Sequence, residues 1–339
     1  MNLSVSLEDI QHVENFLGQG DVDNALPALL EMRDEIEEYA EQACRATDHV
    51  QYFSFADSFE LLAYRRVEKD PRSLKQVPVP FDRVYSDLAF AYLRQQEYAL
   101  ARDALKQAVR WDPMNCAYRL DLAELYRVLG NPDEGAALNY SVLARAADAA
   151  HFGRACAGLG LFFLDKQEKM LASGFARRAA SYAPSARQTH QLLQRLMAEA
   201  PEEASASEEE AVKALEDQGF ETDPNAEIAI CLLMCATDAA QAGDRNEATN
   251  YTLRARDLVG EDAAKALIQL IHESDAELAA ERAQGAAAEG ERVDAVMAAA
   301  EAGPKAEDGS AAAPGAGDDV RDGDASSAST LEGDAHAES

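Results

Sequence analysis

The thiols Cys231 and Cys235 stand four residues apart in "CLLMC". That spacing puts both on one face of a helix, where they could share a soft metal ion. No histidine or further cysteine lies near them in sequence, so the pair reads as two small apolar residues of a buried helix. The six histidines, His12, His49, His151, His190, His272 and His336, are dispersed, and none belongs to a set with ligand spacing. They read as surface or interhelical residues. Asp and Glu together number 62 and no pair is singled out; the run Glu35, Glu37, Glu38, Glu41 is the solvated face of a helix. "CAGLGLFF" at 156–163 holds only G-x-G and lies inside an expected helix, so its glycines read as close-packing positions rather than a phosphate cradle. Nucleotide-binding, nucleophile-elbow and zinc-hydrolase signatures are absent. The chain is expected to be non-catalytic, with no cofactor and no metal.

Charge narrows the partners. The formal charge is −31 over 339 residues, yet residues 81–190 come to +2 while 1–80 carry −9 and 191–260 carry −10. A polyanion without a basic, aromatic-interleaved stripe repels nucleic acid and anionic membranes, so neither is an expected partner. The five cysteines, an odd number without C-x-x-C spacing, suit a reducing compartment. The N-terminal residues lack the basic and apolar parts of a signal peptide. The longest apolar run, "IAICLLMCA" at 228–236, is far below the ~18 residues of a membrane span. A cytoplasmic location is expected.

Elements that could position a site emerge from internal periodicity. Glycine and proline are sparse before residue 285 and alanine is abundant, which favours helix. Tyr85, Leu88, Ala89 and Tyr92 mark one face of a helix; after a polar turn, Tyr98, Ala101, Leu105 and Ala108 mark the facing side of a second, which Trp111-Asp112-Pro113 closes. Small residues are needed there because two helices approach closely only where side chains are short. The next unit, about 116–150, has Leu122, Ala123 and Tyr126, and fits its second helix best with one inserted residue, turning Ala136, Tyr140 and Leu143 inward. A third, about 151–186, has Leu159, Gly160 and Phe163, then Ala172, Ala176 and Ala179.

On these residues the chain resembles the tetratricopeptide repeat (TPR) family, most fully over 82–115. With "YFSFADSFELLAYRRV" and the Pro-x-Pro connector it is similar, over roughly 45–275, to bacterial TPR proteins of unknown function. The resemblance implies an all-α, TPR-type helical solenoid of antiparallel helix pairs, with a concave surface that holds an extended peptide or a partner helix. The implied groove residues are Arg83, Ser86, Phe90 and Arg94, then Asp121, Glu124 and Arg127, then Leu161 and Asp165. Co-chaperone members grip a C-terminal carboxylate with Lys, Arg and Asn. Here Ser86 and Phe90 stand where a Lys and an Asn are expected, and Asp121 where another Asn is, so chaperone-tail binding is not implied.

Four regions follow. Residues 1–80 form an N-terminal cap, with a degenerate pair around "LGQGDVDNALPALL", an aromatic helix from about Asp57 to Val67, and an extended connector at Val77-Pro78-Val79-Pro80. Pro27 requires the second helix of that pair to begin near Asp23 or Asn24. Residues 81–186 hold three TPR units. Residues 187–284 hold further helices, with a Ser207–Glu210 capping box and a TPR-like pair at about 229–262 behind a Thr222 or Asp223 cap. Residues 285–339 are an acidic Ala/Gly/Asp/Ser-rich tail with too little apolar surface to offset ordering, hence expected to be disordered. The expected function is a protein–protein interaction scaffold or adaptor. A peptide-sensing regulator is one alternative, and an enzyme with a pocket around His49, Tyr52 and Phe55 is another; an exposed Phe90 or a closed pocket distinguishes them.

Overall fold

The computed structural model describes residues 3–273. Three consecutive helix pairs form its centre: α4 (Phe81–Arg94) with α5 (Tyr98–Trp111), α6 (Cys116–Val128) with α7 (Pro132–Leu143), and α8 (Ala149–Asp165) with α9 (Lys169–Tyr182). Within each pair the helices run antiparallel, and each pair packs on the next, the arrangement of a TPR-type solenoid. Ala89 and Ala101 are shut away at the first crossing, with Tyr85, Leu88 and Leu105 filling around them. The outermost expected position, Tyr98, is 39% exposed and lies outside the crossing.

The second pair corrects the expected register. Gly135, not Ala136, is the small residue at the crossing: a Cβ on it would stand 2.8 Å from the Ala123 carbonyl oxygen. Val142 and Leu143 are buried, whereas Tyr140 is 41% exposed. No residue is inserted in α7. The extra length falls in α8, which has 17 residues against 14 in α4 and 13 in α6. An added turn at the N-terminal end of α8 leaves its crossing with α9 intact, while an insertion within α7 would rotate its packing face.

A shared turn sets the angle of each pair. Five residues ahead of the small residue the backbone enters the left-handed region, at Gln96 (φ 63°), Gly130 (φ 79°) and Gln167 (φ 65°). Gly20 and Gly243 do the same in two outer pairs. One of these is α1 (Leu7–Gly18) with α2 (Val22–Ala43), whose Ala25, Leu29 and Ile36 are buried. α2 begins at Val22 behind an Asp21 cap, a residue earlier than Pro27 was expected to allow. Pro27 sits on the exposed side, so the carbonyl it leaves unpaired faces water.

In sequence, a strap links the first pair to the repeats: β1 (Val50–Phe53), α3 (Ser58–Glu68) and β2 (Ser73–Gln76). The strands pair in parallel, Val50 opposite Ser73 through Phe53 opposite Gln76. This sheet was not anticipated, because four-residue strands, one of them the polar "SLKQ", carry no readable alternation. The Val77–Pro80 connector follows it without regular structure.

Beyond the repeats, α10 (Arg187–Glu199) packs on α8 and α9, with Leu192 over Gly160. A one-turn α11 (Pro201–Ala204) leads to α12 (Glu208–Asp217), which carries the Ser207–Glu210 capping box and lies along α9. The pair α13 (Ala226–Gln241) and α14 (Arg245–Val259) then turns back instead of lengthening the stack. Asn225, rather than Thr222 or Asp223, caps α13, and its amide also donates to the Ala144 carbonyl (2.9 Å). Arg254 donates to the Ala147 carbonyl (3.1 Å). The nearly all-apolar α13 is thus sandwiched between α14 and the strap helix α3. Another helical stretch covers 261–273. The described residues pack as one unit; the expected acidic tail at 285–339 lies outside them.

Candidate functional site

The first helices of the three central pairs, α4, α6 and α8, carry the nine side chains expected along the inner face. Inner-face positions recur every three or four residues, so side chains one turn apart line up along that face of each helix.

On α4, Arg83 is committed to Glu14 of α1 through a bidentate pair, with nitrogens 2.6 and 2.8 Å from Glu14 Oε1. Ser86 is half-buried, and Phe90 is 44% exposed with Arg94 exposed one turn beyond. Asp87, beside Glu14, has its carboxyl pushed up to about 7, chiefly by burial. On α6, Asp121 accepts from Arg154 of α8 (3.2 Å), and Glu124 holds Arg127 (2.5 Å). On α8, Asp165 receives Arg195 of α10 (2.8 Å). Hydrogen bonding to Glu124 holds the Arg127 guanidinium firmly charged, and Asp165 adds to this.

Leu161 departs from expectation. It is 7% exposed and forms floor rather than lip, because it packs with Leu164 and Leu192. Together with Leu120, Ala123 and Phe162 it bounds a cleft of about 40 Å³ between α6 and α8, floored by α7. Glu124, Arg127 and Asp165 stand around this cleft with Asn139 and Gln188. The volume admits a few waters or the tip of one side chain. The structure thus gathers Glu124, Arg127, Leu161 and Asp165 at one cleft, leaves Ser86, Phe90 and Arg94 along α4, and ties Arg83 and Asp121 into interhelical pairs.

Glu14, Asn139, Arg154, Gln188 and Arg195 were missed. Each comes from a neighbouring helix, and sequence spacing carries no signal for a pair formed between helices. The arrangement is a ladder of fixed ion pairs flanking apolar surface, so its charges are largely neutralised within the fold. It can hold hydrogen-bonding and apolar groups. It gathers no nucleophile and base in hydrogen-bonding reach.

The alternative pocket around His49, Tyr52 and Phe55 is not formed by these three. Phe55 is stacked on Phe53 (centroids 4.8 Å apart) and packed beside Tyr64 (5.5 Å). Tyr52, on the opposite side of β1 from Phe53, packs with the core of the first pairs, and His49 is exposed. All five cysteines are free and buried, and burial raises the Cys231 and Cys235 thiols to about 11. Neutral thiols are poor ligands and nucleophiles. Among the described residues, no cluster of three or more His, Cys, Asp or Glu side chains is arranged to hold a metal ion. No helix among them is long and apolar enough to cross a membrane.

No family model and no curated protein matches the chain. Among solved structures it is similar to Pseudomonas aeruginosa PilF, at 16% identity and a TM-score of 0.39, over 79% of this chain and 96% of that one. It is also similar to a tetratricopeptide repeat protein from Parabacteroides merdae, at 13% identity and a TM-score of 0.36, over 78% of this chain and 97% of that one. At that distance neither transfers a partner or an activity; what stands is the fold seen in the coordinates, a stack of helix pairs of the tetratricopeptide kind.

Proposed function

We propose that this chain is a non-catalytic interaction scaffold that takes an extended peptide or a partner helix along the inner face of α4, α6 and α8. The observation that carries this reading is Phe90, 44% exposed on that face and left uncovered by α1 and α2. An exposed aromatic ring gives a partner area to bury, at roughly 25 cal/mol per Å². The ion pairs at Glu14–Arg83, Asp121–Arg154 and Asp165–Arg195 hold the lining side chains in place before any partner arrives. Ordering cost then falls mostly on the partner. The partner is a protein, since the charge of −31 disfavours nucleic acid and anionic membranes. We place the chain in the cytoplasm, where five buried free thiols are stable.

A photo-crosslinking amino acid placed at Phe90 in cells tests this reading, with Leu100 of α5, exposed outside the inner face, as the comparison site. Discrete protein adducts are expected from position 90 and not from position 100, and Arg94→Glu should weaken them. Equal labelling at the two positions would move the binding face elsewhere.

A further inference from the structure

The two strands of the strap differ in what lies beyond them. Along a strand, successive residues turn their backbone N–H and C=O groups to opposite edges. The Ser73 amide donates to the His49 carbonyl (2.8 Å) and the Val77 amide to the Phe53 carbonyl (2.9 Å), so Ser73, Lys75 and Val77 face β1. Leu74 and Gln76 therefore turn their N–H and C=O groups away from it. On its far side β1 is partnered: the Val50 carbonyl accepts the Thr47 amide (2.9 Å), and just past the strand the Ser54 amide donates to the Trp111 carbonyl (2.8 Å). Among the described residues, no backbone group pairs with the outer edge of β2 and no helix packs along it.

That edge is held in shape. Gln76 Nε2 donates to the Phe55 carbonyl (2.8 Å), Leu74 packs against the core that holds Phe53 and Tyr64, and Pro71 and Pro78 bound the strand. A fixed edge with unpaired donors and acceptors is a template for a further strand. Its charge says which kind. Residues 65–76 hold five basic side chains, Arg65, Arg66, Lys69, Arg72 and Lys75, against Glu68 and Asp70, a net +3 in a chain of −31. Arg66 is paired with Glu227 (3.4 Å), Arg72 with Asp70 (2.7 Å), and Glu68 with Arg145. Arg65, Lys69 and Lys75 are exposed and form no ion pair among the described residues. A second copy is a poor occupant, because it would set one basic segment against another. An acidic strand meets these cations as it completes the ladder.

We propose that the outer edge of β2 is a docking site for an extended acidic segment of a partner protein, which adds to the strap as a third strand. The site uses none of the inner-face residues of α4, α6 and α8, so it stands or falls apart from the groove. The Leu74 and Gln76 backbone supplies the affinity, while Lys75 and its neighbouring cations select the sign of the partner's charge.

Hydrogen exchange of the full chain, read at single amides by NMR, tests this with a capped peptide of alternating Glu and Val, and with the same peptide carrying Lys for Glu. At saturating Glu peptide the Leu74 and Gln76 amides should slow by about tenfold or more, while Ser73, Lys75 and Val77, already turned to β1, change little. Added salt should weaken the effect, and the Lys peptide should protect neither amide. Gln76→Pro removes an outward N–H that β1 does not use, and should lower Glu-peptide affinity by about five- to tenfold; Gln76→Ala, which loses only the side-chain bond to Phe55, should change it by less than about twofold. Lys75→Glu should also weaken the Glu peptide, and decides the matter should Gln76→Pro fold poorly. Equal protection by both peptides, protection on α4, α6 and α8 instead of β2, unchanged binding in Gln76→Pro or Lys75→Glu, or slow Leu74 and Gln76 exchange before any peptide is added would each overturn the proposal.

Discussion

At the level of single residues, small side chains decide whether these helices can pair. Gly135 is the sharpest case because helix propensity and packing pull in opposite directions. In an open helix, Gly→Ala stabilises by about 1 kcal/mol. Here the new methyl would meet the Ala123 backbone oxygen at 2.8 Å, and a backbone atom cannot rotate away. Gly135→Ala is therefore expected to lower the unfolding free energy by about 1–3 kcal/mol in denaturant titration. A gain in stability would show that α6 and α7 are not in close contact there. Gly160 obeys the same geometry against a softer neighbour, since its added methyl would meet only the tip of Leu192.

Among elements, the turn inside each pair and the strap between pairs carry the architecture. Three pairs turn through glycine, but Gln96 and Gln167 adopt the same left-handed backbone with a side chain attached. That conformation costs an L-residue roughly 1–2 kcal/mol. Gln96→Gly should recover part of it, raising stability by about 0.5–1 kcal/mol in thermal or chemical unfolding, with no change in helix content by circular dichroism. The strap acts as a wedge between the repeats and the returning α13–α14 pair. Phe59 is its anchor, buried beside Tyr251 with the Arg254 guanidinium 5.1 Å from its ring centre. Phe59→Ala is expected to cost about 3–5 kcal/mol. Limited proteolysis should then cut around α13 and α14 before it cuts the α4–α9 stack; simultaneous loss of both would mean the strap is no separate wedge.

For the molecule as a whole, a charge of −31 sets the response to salt. The surface ion pairs are mostly exposed and each is worth little, so screening them costs little. Self-repulsion of the excess carboxylates is longer-ranged and is screened as the Debye length shrinks from about 30 Å at 0.01 M to about 8 Å at 0.15 M. The melting temperature is therefore expected to rise across that salt range. A fall would assign the larger share of stability to the ion-pair ladder of the inner face.

Periodicity alone sufficed for the helix pairs, because burial on one face of a 3.6-residue helix must recur in the chain itself: Leu88, Ala89, Ala101, Leu105 and Ala108 are all legible as a buried face before any coordinates. The capping box at Ser207 was legible for the same reason, its partners being three residues apart. Part of the candidate site was legible too, since Phe90, Glu124, Arg127 and Asp165 sit on helix faces fixed by that period. What only the tertiary structure decided are contacts between residues far apart in the chain: Glu14 on Arg83, Arg195 on Asp165, the strap's parallel strands, and the return of α13 onto α3. Local pattern encodes which face of an element is buried. Which distant element covers that face depends on how the whole chain closes, and no spacing along the sequence records it.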